Sequence, residues 1–494
     1  MAPKLLASTF LVTCFLSCAV AQPVPARKKP NILFVLMDDM GWGDVGFRDS
    51  QFHTPTIDGM YSQGVRFNNS YTPPNCGPSR AALLSGVYPW RMGLQGNAIN
   101  SGSSAAIPLG RTILPQKLKD DLGYQTHLVG KWHQGFCKTE QTPTERGFDS
   151  FFGFYLSKQD PFSHLSKKDA YDFRSDHEVN RSVAGQYSTY LFSERTRQLV
   201  REYKASLASN ADTKPFFIML SYSALHAPNQ VPQHYIDQHC ADVSDHNRQI
   251  KCGMMAAVDE GLKNITDDLK AHGLMDDLLV VFTSDDGGDH EEGSSNWPLR
   301  GNKRTLWEGG IRVTTFMYSE SRDILPETNF TWGGLFYISD FYATLSGMIE
   351  DTETRKLPEI VDSYNQWTYI KTGQTTGTNR LEIAYVDQDL GVAMLRRDQW
   401  KLLYMQSRHP GWYNPPPGVA AREEPNRNDL PKYQLFDLDR DPEETTDVRK
   451  DNYERYIRMA ASLREVRRMA VNPIDEDLHS DPDRFDGVWS PGWC

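Results

Sequence analysis

Two acidic pairs stand far apart in the chain, Asp38-Asp39 and Asp285-Asp286, each just past a run of apolar residues. Adjacent carboxylates repel one another unless a cation sits between them, and Ca²⁺ and Mg²⁺ prefer carboxylate and amide oxygens. Either pair alone reads equally well as turn chemistry, since Asp and Gly favour turns; the two together point to a hard divalent ion. Basic side chains arrive in a similar way: Lys131 and His133 in Gly130-Lys131-Trp132-His133, His226 in Leu225-His226-Ala227-Pro228, and Lys303 in Leu299-Arg300-Gly301-Asn302-Lys303. A single lysine is usually a solvated surface group and a single histidine a satisfied core residue. Their joint arrival beside Arg80 and the acids describes instead a cradle for a tetrahedral anion, which lysine and arginine hold by charge-assisted hydrogen bonds. Between the pairs lies Cys76-Gly77-Pro78-Ser79-Arg80, a cysteine inside what reads as a short, proline-stiffened loop.

The elements that must position these groups are legible in the apolar pattern. Ile32 to Met37, Thr126 to Val129, Phe216 to Leu220 and Leu278 to Phe282 read as buried strands, and Leu114 to Leu122, Phe192 to Leu207 and Met254 to His272 carry helical spacing. Alternating strands and helices predict an α/β fold, a large and mostly parallel sheet with helices on both faces. Such sheets place their sites beyond the carboxyl ends of the strands. The first run is followed by Asp38 and Asp39, the second by Lys131 and His133, the third by His226, and the fourth by Asp285 and Asp286. Four strands thus deliver acids, a lysine and histidines to one edge. From about residue 380 the pattern changes to short strands at Glu382 to Val386, Gly391 to Arg396 and Trp400 to Tyr404, then Tyr433 to Asp439 and a helix from Asn452 to Met469. The 494 residues are therefore expected to divide into a catalytic α/β domain, 22–378, and a smaller C-terminal α+β domain with an antiparallel sheet, 379–494.

The first 21 residues read as a secretory signal: Lys4 opens it, Leu5 to Val20 is mostly apolar, and Ala19-Val20-Ala21 is a small-residue cleavage site. The apolar run is shorter than the roughly 20 residues a spanning helix needs, and no later segment is long and apolar enough to span a bilayer. A secretory route makes the four sequons at Asn68, Asn180, Asn264 and Asn329 candidate glycosylation sites. Of seven cysteines, Cys14 and Cys18 leave with the signal. Cys137, Cys240, Cys252 and Cys494 then form an even remainder suited to an oxidising compartment, with Cys240–Cys252 the first pairing expected and Cys137–Cys494 the second. A net charge of −11 argues against a nucleic-acid binder, which concentrates basic residues on one face. It fits an acidic hydrolase of the lysosome or the extracellular space.

The Cys76-Gly77-Pro78-Ser79-Arg80 string is similar to the signature of the formylglycine-dependent sulfatases, and further stretches extend the likeness. They are Pro30-Asn31-Ile32, Asp38-Asp39-Met40-Gly41-Trp42, Gly130 to His133, Asn296-Trp297-Pro298-Leu299-Arg300-Gly301, Leu306 to Gly310 and Leu435 to Glu444. The chain resembles the arylsulfatase family, and within it the arylsulfatase B branch of N-acetylgalactosamine-4-sulfatases; the likeness spans nearly all of the mature chain and thins from about 320 to 395. The resemblance implies the alkaline-phosphatase-like sulfatase fold, one Ca²⁺ held by Asp38, Asp39, Asp285, Asp286 and residue 76, and conversion of Cys76 to formylglycine by a formylglycine-generating enzyme. It implies that one hydroxyl of the hydrated aldehyde attacks sulfur and that the other loses its proton to expel sulfate. It also assigns roles: Arg80 and Lys131 steady the hydrate and the sulfate, His133 assists deprotonation, and His226 and Lys303 bind sulfate and protonate the leaving oxygen. The implied substrates are sulfated carbohydrates of the galactosamine 4-sulfate type and aryl sulfates.

Two positions depart from the family pattern. Asp286 stands where the family usually has Asn, adding a negative charge beside an anionic substrate, and Leu84-Ser85-Gly86-Val87 ends in Val where the family tends to have Arg. Two other functions use the same fold. A phosphate or phosphonate hydrolase would replace Cys76 with Ser or Thr and hold two metals; a pseudoenzyme would bind sulfated glycans and leave Cys76 a thiol. The complete set of Lys131, His133, His226 and Lys303 argues for catalysis.

Overall fold

A computed structural model describes residues 29–100, 102–209, 213–352, 362–387, 391–396, 398–404, 409–474 and 480–494. The signal segment 1–21 lies outside the described residues. The chain forms ten strands of one sheet: β1 (Asn31–Met37), β2 (Val65–Tyr71), β3 (Gln125–Lys131), β4 (Ser150–Phe154), β5 (Arg174–Ser175), β6 (Glu178–Val179), β7 (Phe216–Ser221), β8 (Leu278–Ser284), β9 (Thr315–Tyr318) and β10 (Phe330–Tyr337). Their order is β10-β2-β9-β8-β1-β7-β3-β4-β5-β6. The four apolar runs become the central strands β1, β3, β7 and β8. β1 runs parallel to β7 and β8, and β3 parallel to β7 and β4. β9 is antiparallel to both β8 and β2, so β2 points the same way as the centre and delivers residues 72–76 to the same edge.

The central strands are apolar on both faces because both faces are covered. Along β1, Ile32, Phe34 and Leu36 enter one core, with the helices Cys76–Ser85, Asp340–Glu350 and Tyr453–Met469; Leu33, Val35 and Met37 enter the other, with Pro55–Gln63, Ser188–Ser209 and His246–Ala271. Each fully buried Leu, Ile, Val or Phe contributes about 1.5–3 kcal/mol, so a one-residue slip of β1 would exchange the two cores and is disfavoured. The long helix His246–Ala271 starts at Asp245, whose side chain accepts a hydrogen bond from the Arg248 N–H at 2.8 Å. Where a helix was expected over Leu114 to Leu122, Leu114–Gln116 is helical and Lys117–Asp121 continues as a wider turn.

The C-terminal strands form a separate antiparallel sheet, β11 (Glu382–Asp387), β12 (Gly391–Arg396), β13 (Trp400–Tyr404) and β14 (Tyr433–Asp437), in the order β11-β12-β13-β14. Both of its faces share the first core: Ile383 and Phe436 on one and Leu402 and Leu435 on the other join the cluster that holds the helix Cys76–Ser85. A buried ionic group sits at this junction. Lys401 Nζ lies 3.0 Å from Glu308 Oε1 and 2.7 Å from Glu444 Oε1, the Tyr71 hydroxyl donates to Glu308 Oε2 at 2.9 Å, and the Glu308 N–H donates to Glu444 Oε2 at 2.7 Å. Both expected disulfides are present, Cys240–Cys252 and Cys137–Cys494. The second ties the end of the chain to the loop after β3. No helix among the described residues is long and apolar enough to cross a membrane.

Removing one partner of a buried ion pair strands the other charges, at a cost of about 3–5 kcal/mol. Lys401→Met is therefore expected to lower the unfolding free energy by that order in denaturant titration. Burial pushes the Glu444 carboxyl up to about 7, against the pull of Lys401 and with the push of Glu308. The folded state then holds this proton more tightly than the unfolded state does, so stability from this group is present at acid pH and is lost as pH rises from about 4.5 toward 7. Unfolding free energy measured across that window should fall less steeply in Glu444→Gln than in the wild type.

Candidate active site

The edge of the sheet holds the acids. β1 ends at Met37, and Asp38 is pinned on both sides of its peptide: its N–H donates to Ala224 O at 3.0 Å and its carbonyl accepts from Leu225 N–H at 2.5 Å. Asp39 follows in the left-handed region, φ 58°, which Asp tolerates better than most residues and which turns the chain sharply toward β8. There its N–H donates to Asp285 Oδ1 at 3.3 Å, while the Asp285 N–H donates to Met37 O at 3.1 Å. Parallel pairing of β1 with β8, Met37 opposite Ser284, is thus what sets the two acidic pairs side by side. Asp39, Asp285 and Asp286 offer oxygens within 4.8 Å of one another, and Asp38, Asp285 and the Cys76 thiol form a second such group.

Cys76 does not sit in a loop. It opens the helix Cys76–Ser85, with Pro78 in the first turn, where a missing N–H breaks no helical hydrogen bond. The expectation of a loop read proline as a breaker when it marks a helix start. The helix points Arg80, four residues on, back under the acids. Arg80 Nε donates to Asp285 Oδ2 at 2.8 Å, Nη1 to Ser221 Oγ at 2.6 Å and to Lys131 O at 3.2 Å, and Nη2 lies 3.6 Å from Asp38 Oδ1. Arg80 is fully buried.

Two lysines meet the outer oxygens. Lys131, the last residue of β3, places Nζ 2.7 and 2.8 Å from the two oxygens of Asp38, and Lys303 places Nζ 2.5 and 2.7 Å from those of Asp39. His226 Nε2 lies 3.7 Å from Asp39 Oδ2, and its Nδ1 is 2.7 Å from Ala227 O, which makes Nδ1 the protonated nitrogen. His133, φ 52°, places Nε2 2.7 Å from Ile99 O and packs its ring beside Gly77; its Nδ1 is buried with no partner. All ten expected residues therefore converge on one buried cluster, although they come from six separate segments.

The electrostatics show what the cluster demands. Burial raises the Asp38 and Asp286 carboxyls well above the usual range, against the attraction of Lys131 for Asp38 and of Lys303 for Asp286. Asp39 moves the other way, because His226, Lys303 and Lys131 together outweigh its burial. Burial, reinforced by Lys131 and Arg80, pushes His133 well below its ordinary value and keeps it neutral. Both Asp286 oxygens are buried and accept no hydrogen bond. Four buried carboxylates, one with two idle oxygens, are a donor set of oxygens only, which fits a hard divalent cation of the Ca²⁺ or Mg²⁺ class.

The cluster opens into a cleft of about 820 Å³ whose floor includes Cys76, His133, His226 and Lys303. Its rim adds residues that sequence reasoning did not single out: Lys158 and Lys167 from the segment after β4, Arg304, and Trp489 from the C-terminal tail. Trp489 is placed by its N–H bond to Tyr171 O at 3.0 Å and by the nearby Cys137–Cys494 disulfide. Ser221 was missed as well; it carries the link between Arg80 and Lys131 O, the latter at 2.9 Å. Its signal was its place at the end of the third apolar run. The rim lysines had none beyond the basic pair Lys167-Lys168.

Known proteins are similar to this chain in sequence and in fold. The model of the sulfatase family matches residues 30–327. Mouse arylsulfatase J is 32% identical over 498 residues, covering 94% of this chain and 80% of that protein. Human N-acetylgalactosamine-6-sulfatase is 31% identical over 306 residues, covering 58% of this chain and 56% of its own. The crystal structure of Ps i-CgsB in complex with k-i-k-neocarrahexaose superposes with a TM-score of 0.76 at 25% identity, covering 93% of this chain and 97% of that one. The shared architecture is α/β and alkaline-phosphatase-like, a large mostly parallel sheet with a separate antiparallel sheet.

The raised carboxyl of Asp286 generates a prediction. Without a metal, burial makes this group take up a proton on folding at neutral pH, a cost that Asn does not carry, so Asp286→Asn is expected to be more stable than the wild type after chelation, by about 1–3 kcal/mol. Thermal unfolding in excess chelator measures this; a less stable variant would mean that the second oxygen has a partner.

Proposed function

The chain belongs to the sulfatase family, and from that premise we propose a calcium-dependent sulfatase of the arylsulfatase B branch. It hydrolyses sulfate monoesters on sulfated sugars, of the galactosamine 4-sulfate type, and on small aryl sulfates. Cys76 is converted to formylglycine by a formylglycine-generating enzyme as the chain passes through the secretory pathway toward the lysosome or the exterior. We divide the chain into the signal 1–21, a catalytic domain 22–378 and a C-terminal domain 379–494. The observation that carries this reading is the meeting of Cys76, at a helix start, with four buried carboxylates and the cations Arg80, Lys131 and Lys303 at the floor of one cleft.

Asp38, Asp39, Asp285 and Asp286, with residue 76, are the groups that would hold Ca²⁺, and the ion supplies positive charge against the sulfuryl oxygens. The hydrated aldehyde supplies one hydroxyl as nucleophile and a second whose deprotonation frees sulfate; an unmodified thiol has no such second hydroxyl. The chain's own residues do the remaining work. Arg80, clamped by Asp285 and Ser221, fixes the orientation of residue 76 and the charge beneath it. Lys303 is a buried cation at the cleft floor and Lys131 a second one held beneath it on Asp38, and their charges steady the sulfate, Lys303 by a charge-assisted hydrogen bond. His226, with Nδ1–H committed to Ala227 O and its ring kept neutral by burial, turns Nε2 as an acceptor toward the acids and the cleft, and the Lys303 ammonium beside it carries the proton for the leaving alcohol oxygen. His133, with Nε2–H committed to Ile99 O, keeps Nδ1 as an idle neutral base beside residue 76 and accepts the hydroxyl proton.

The exposed lysines at the rim support a polyanionic carbohydrate more than an isolated aryl ester. Lys158, Lys167 and Arg304 stand at the cleft mouth of a chain whose net charge is −11, a local reversal that draws a substrate bearing further anionic groups.

The first test is the mass of the tryptic peptide Phe67 to Arg80, freed of any glycan on Asn68, from protein made in a competent secretory host. Formylglycine or its hydrate at residue 76 is expected; an intact cysteine defeats the reading. Cys76→Ala should lose sulfatase turnover by about 10⁴-fold or more while its folded state still gains thermal stability from Ca²⁺. Lys158→Ala/Lys167→Ala should raise KM for a sulfated oligosaccharide by roughly tenfold, equal to about 1.4 kcal/mol, and flatten its salt dependence. The same variant should leave KM for a small aryl sulfate unchanged.

A further inference from the structure

A second cluster of metal-binding side chains lies apart from the carboxylates. His290 and Glu291 sit in the loop after β8, and His409 sits in the C-terminal part of the chain, 118 residues after Glu291. One ligand atom from each lies within 4.8 Å of the other two. The His290 ring stacks on Tyr413 with centroids 3.8 Å apart and meets the His409 ring edge-on at 5.2 Å. His290 Nδ1 is buried and has no hydrogen-bond partner, an idle nitrogen within a group that has a second imidazole and a carboxylate beside it.

The backbone around the cluster is already anchored. The His290 N–H donates to Asn302 Oδ1 at 2.6 Å, and its carbonyl accepts from Asn414 Nδ2 at 3.1 Å. On the other side, Arg300 Nε donates to Pro410 O at 2.7 Å, Gly301 N–H to Gly411 O at 2.9 Å and Ser295 Oγ to Asn414 O at 2.7 Å. The three side chains therefore hang from two fixed segments. Ligands of a tetrahedral zinc ion, each about 2.0–2.2 Å from the metal, stand roughly 3.3–3.5 Å from one another. Side-chain rotations of little more than an ångström would close the triad, and Glu291 is exposed and free to make most of that movement.

We propose that His290, Glu291 and His409 form a second metal site, for a divalent ion of the zinc class, which clamps the C-terminal segment 409–414 onto the loop that carries Asp285, Asp286 and Lys303. Two imidazole nitrogens with one carboxylate suit Zn²⁺, Ni²⁺ or Cu²⁺ and do not suit Ca²⁺, which takes oxygen ligands. The neutral imidazole is the binding form, and burial together with the neighbouring His290 lowers the His409 value in that direction. Three protein ligands leave a coordination position for water, and His409 faces a separate surface cavity of about 440 Å³ that Glu424 and Arg427 also line. The site stands independently of the sulfatase reading, because it shares no side chain with the carboxylate cluster.

The test is a calorimetric titration of ZnCl₂ into the full-length, Ca²⁺-saturated wild type, and into Cys76→Ala, in which no thiol can compete. One Zn²⁺ per chain with a Kd of micromolar or below, and a matching rise in Tm, is the expected result. His409→Ala and His290→Gln should each weaken that binding about 100-fold or more, and bound Co²⁺ should show the visible absorption of a nitrogen-ligated ion. Circular dichroism without zinc checks that the variants fold; if one does not, the Co²⁺ spectrum of the wild type decides. No saturable binding in the wild type, a Co²⁺ spectrum typical of oxygen ligands, or binding that survives in a folded His409→Ala would each overturn the proposal.

Discussion

Four carboxylates share a dry pocket at the end of this sheet, and much of the neighbouring structure answers that fact. Each ion taken from water costs several kcal/mol unless it is paired and hydrogen-bonded. Arg80 is the shared counter-charge: it touches Asp285 and lies near Asp38, and it is itself braced by Ser221 and the Lys131 carbonyl. Because Arg80 is four residues past Cys76 on one helix, neutralising the acids also fixes where Cys76 stands. Lys131 pairs with Asp38 and Lys303 with Asp39 from two further segments, which leaves Asp286 the one acid of the four with no ion-pair partner of its own. Cys76, the four acids, Arg80 and the two lysines are thus one electrostatic unit, and moving any charged member exposes an unpaired charge to the rest.

That unit extends beyond the first sheet. The loop from Asp285 to Lys303 is held in place by the C-terminal part of the chain: Arg300 Nη1 donates to Glu444 O at 2.8 Å and its guanidinium lies 3.8 Å over the Trp307 ring. Lys401 of β13 then joins Glu308 to Glu444 in a second buried ionic group. The antiparallel sheet consequently acts as a brace for the active-site loop as well as an appendage to the core. The C-terminal tail performs a related task at the opening, where the Cys137–Cys494 disulfide and the Tyr171 backbone set Trp489 against the cleft. Part of the cleft lining therefore comes from the end of the chain, while Asp38, Lys131 and Asp285 come from the strand ends.

The two positions that depart from the family pattern are both buried. Asp286 carries its additional oxygen into a place where nothing donates to it, which makes it the least satisfied member of the cluster. Val87 follows Gly86, whose left-handed conformation, φ 69°, ends the helix that begins at Cys76. At that point the side chain enters the hydrophobic core, which an Arg could not do without a partner for its charge.

By itself, the sequence determined the four central strands of the large sheet, their mostly parallel direction and the edge at which chemistry gathers. Continuous apolar runs bounded by polar residues can be buried only in a sheet covered on both faces, and the residue after each run must then lie at a strand end. Asp38, Lys131 and Asp285 were legible for that reason, and Cys76 with Arg80 because the string that joins them resembles a family signature, although the same string reads as a loop. Chain geometry also leads to the Cys240–Cys252 link, which closes a short segment. Only the tertiary structure decided the rest. It showed that Pro78 starts a helix instead of stiffening a loop, that Ser221 joins Arg80 to Lys131, and that His133 and His226 each commit one ring nitrogen to a backbone carbonyl. It also brought Lys158, Lys167, Trp489 and His409 to places their neighbours in sequence do not reveal. Such contacts join segments hundreds of residues apart, through loops without periodicity, and local pattern carries no information about where a loop will lie once the core has closed.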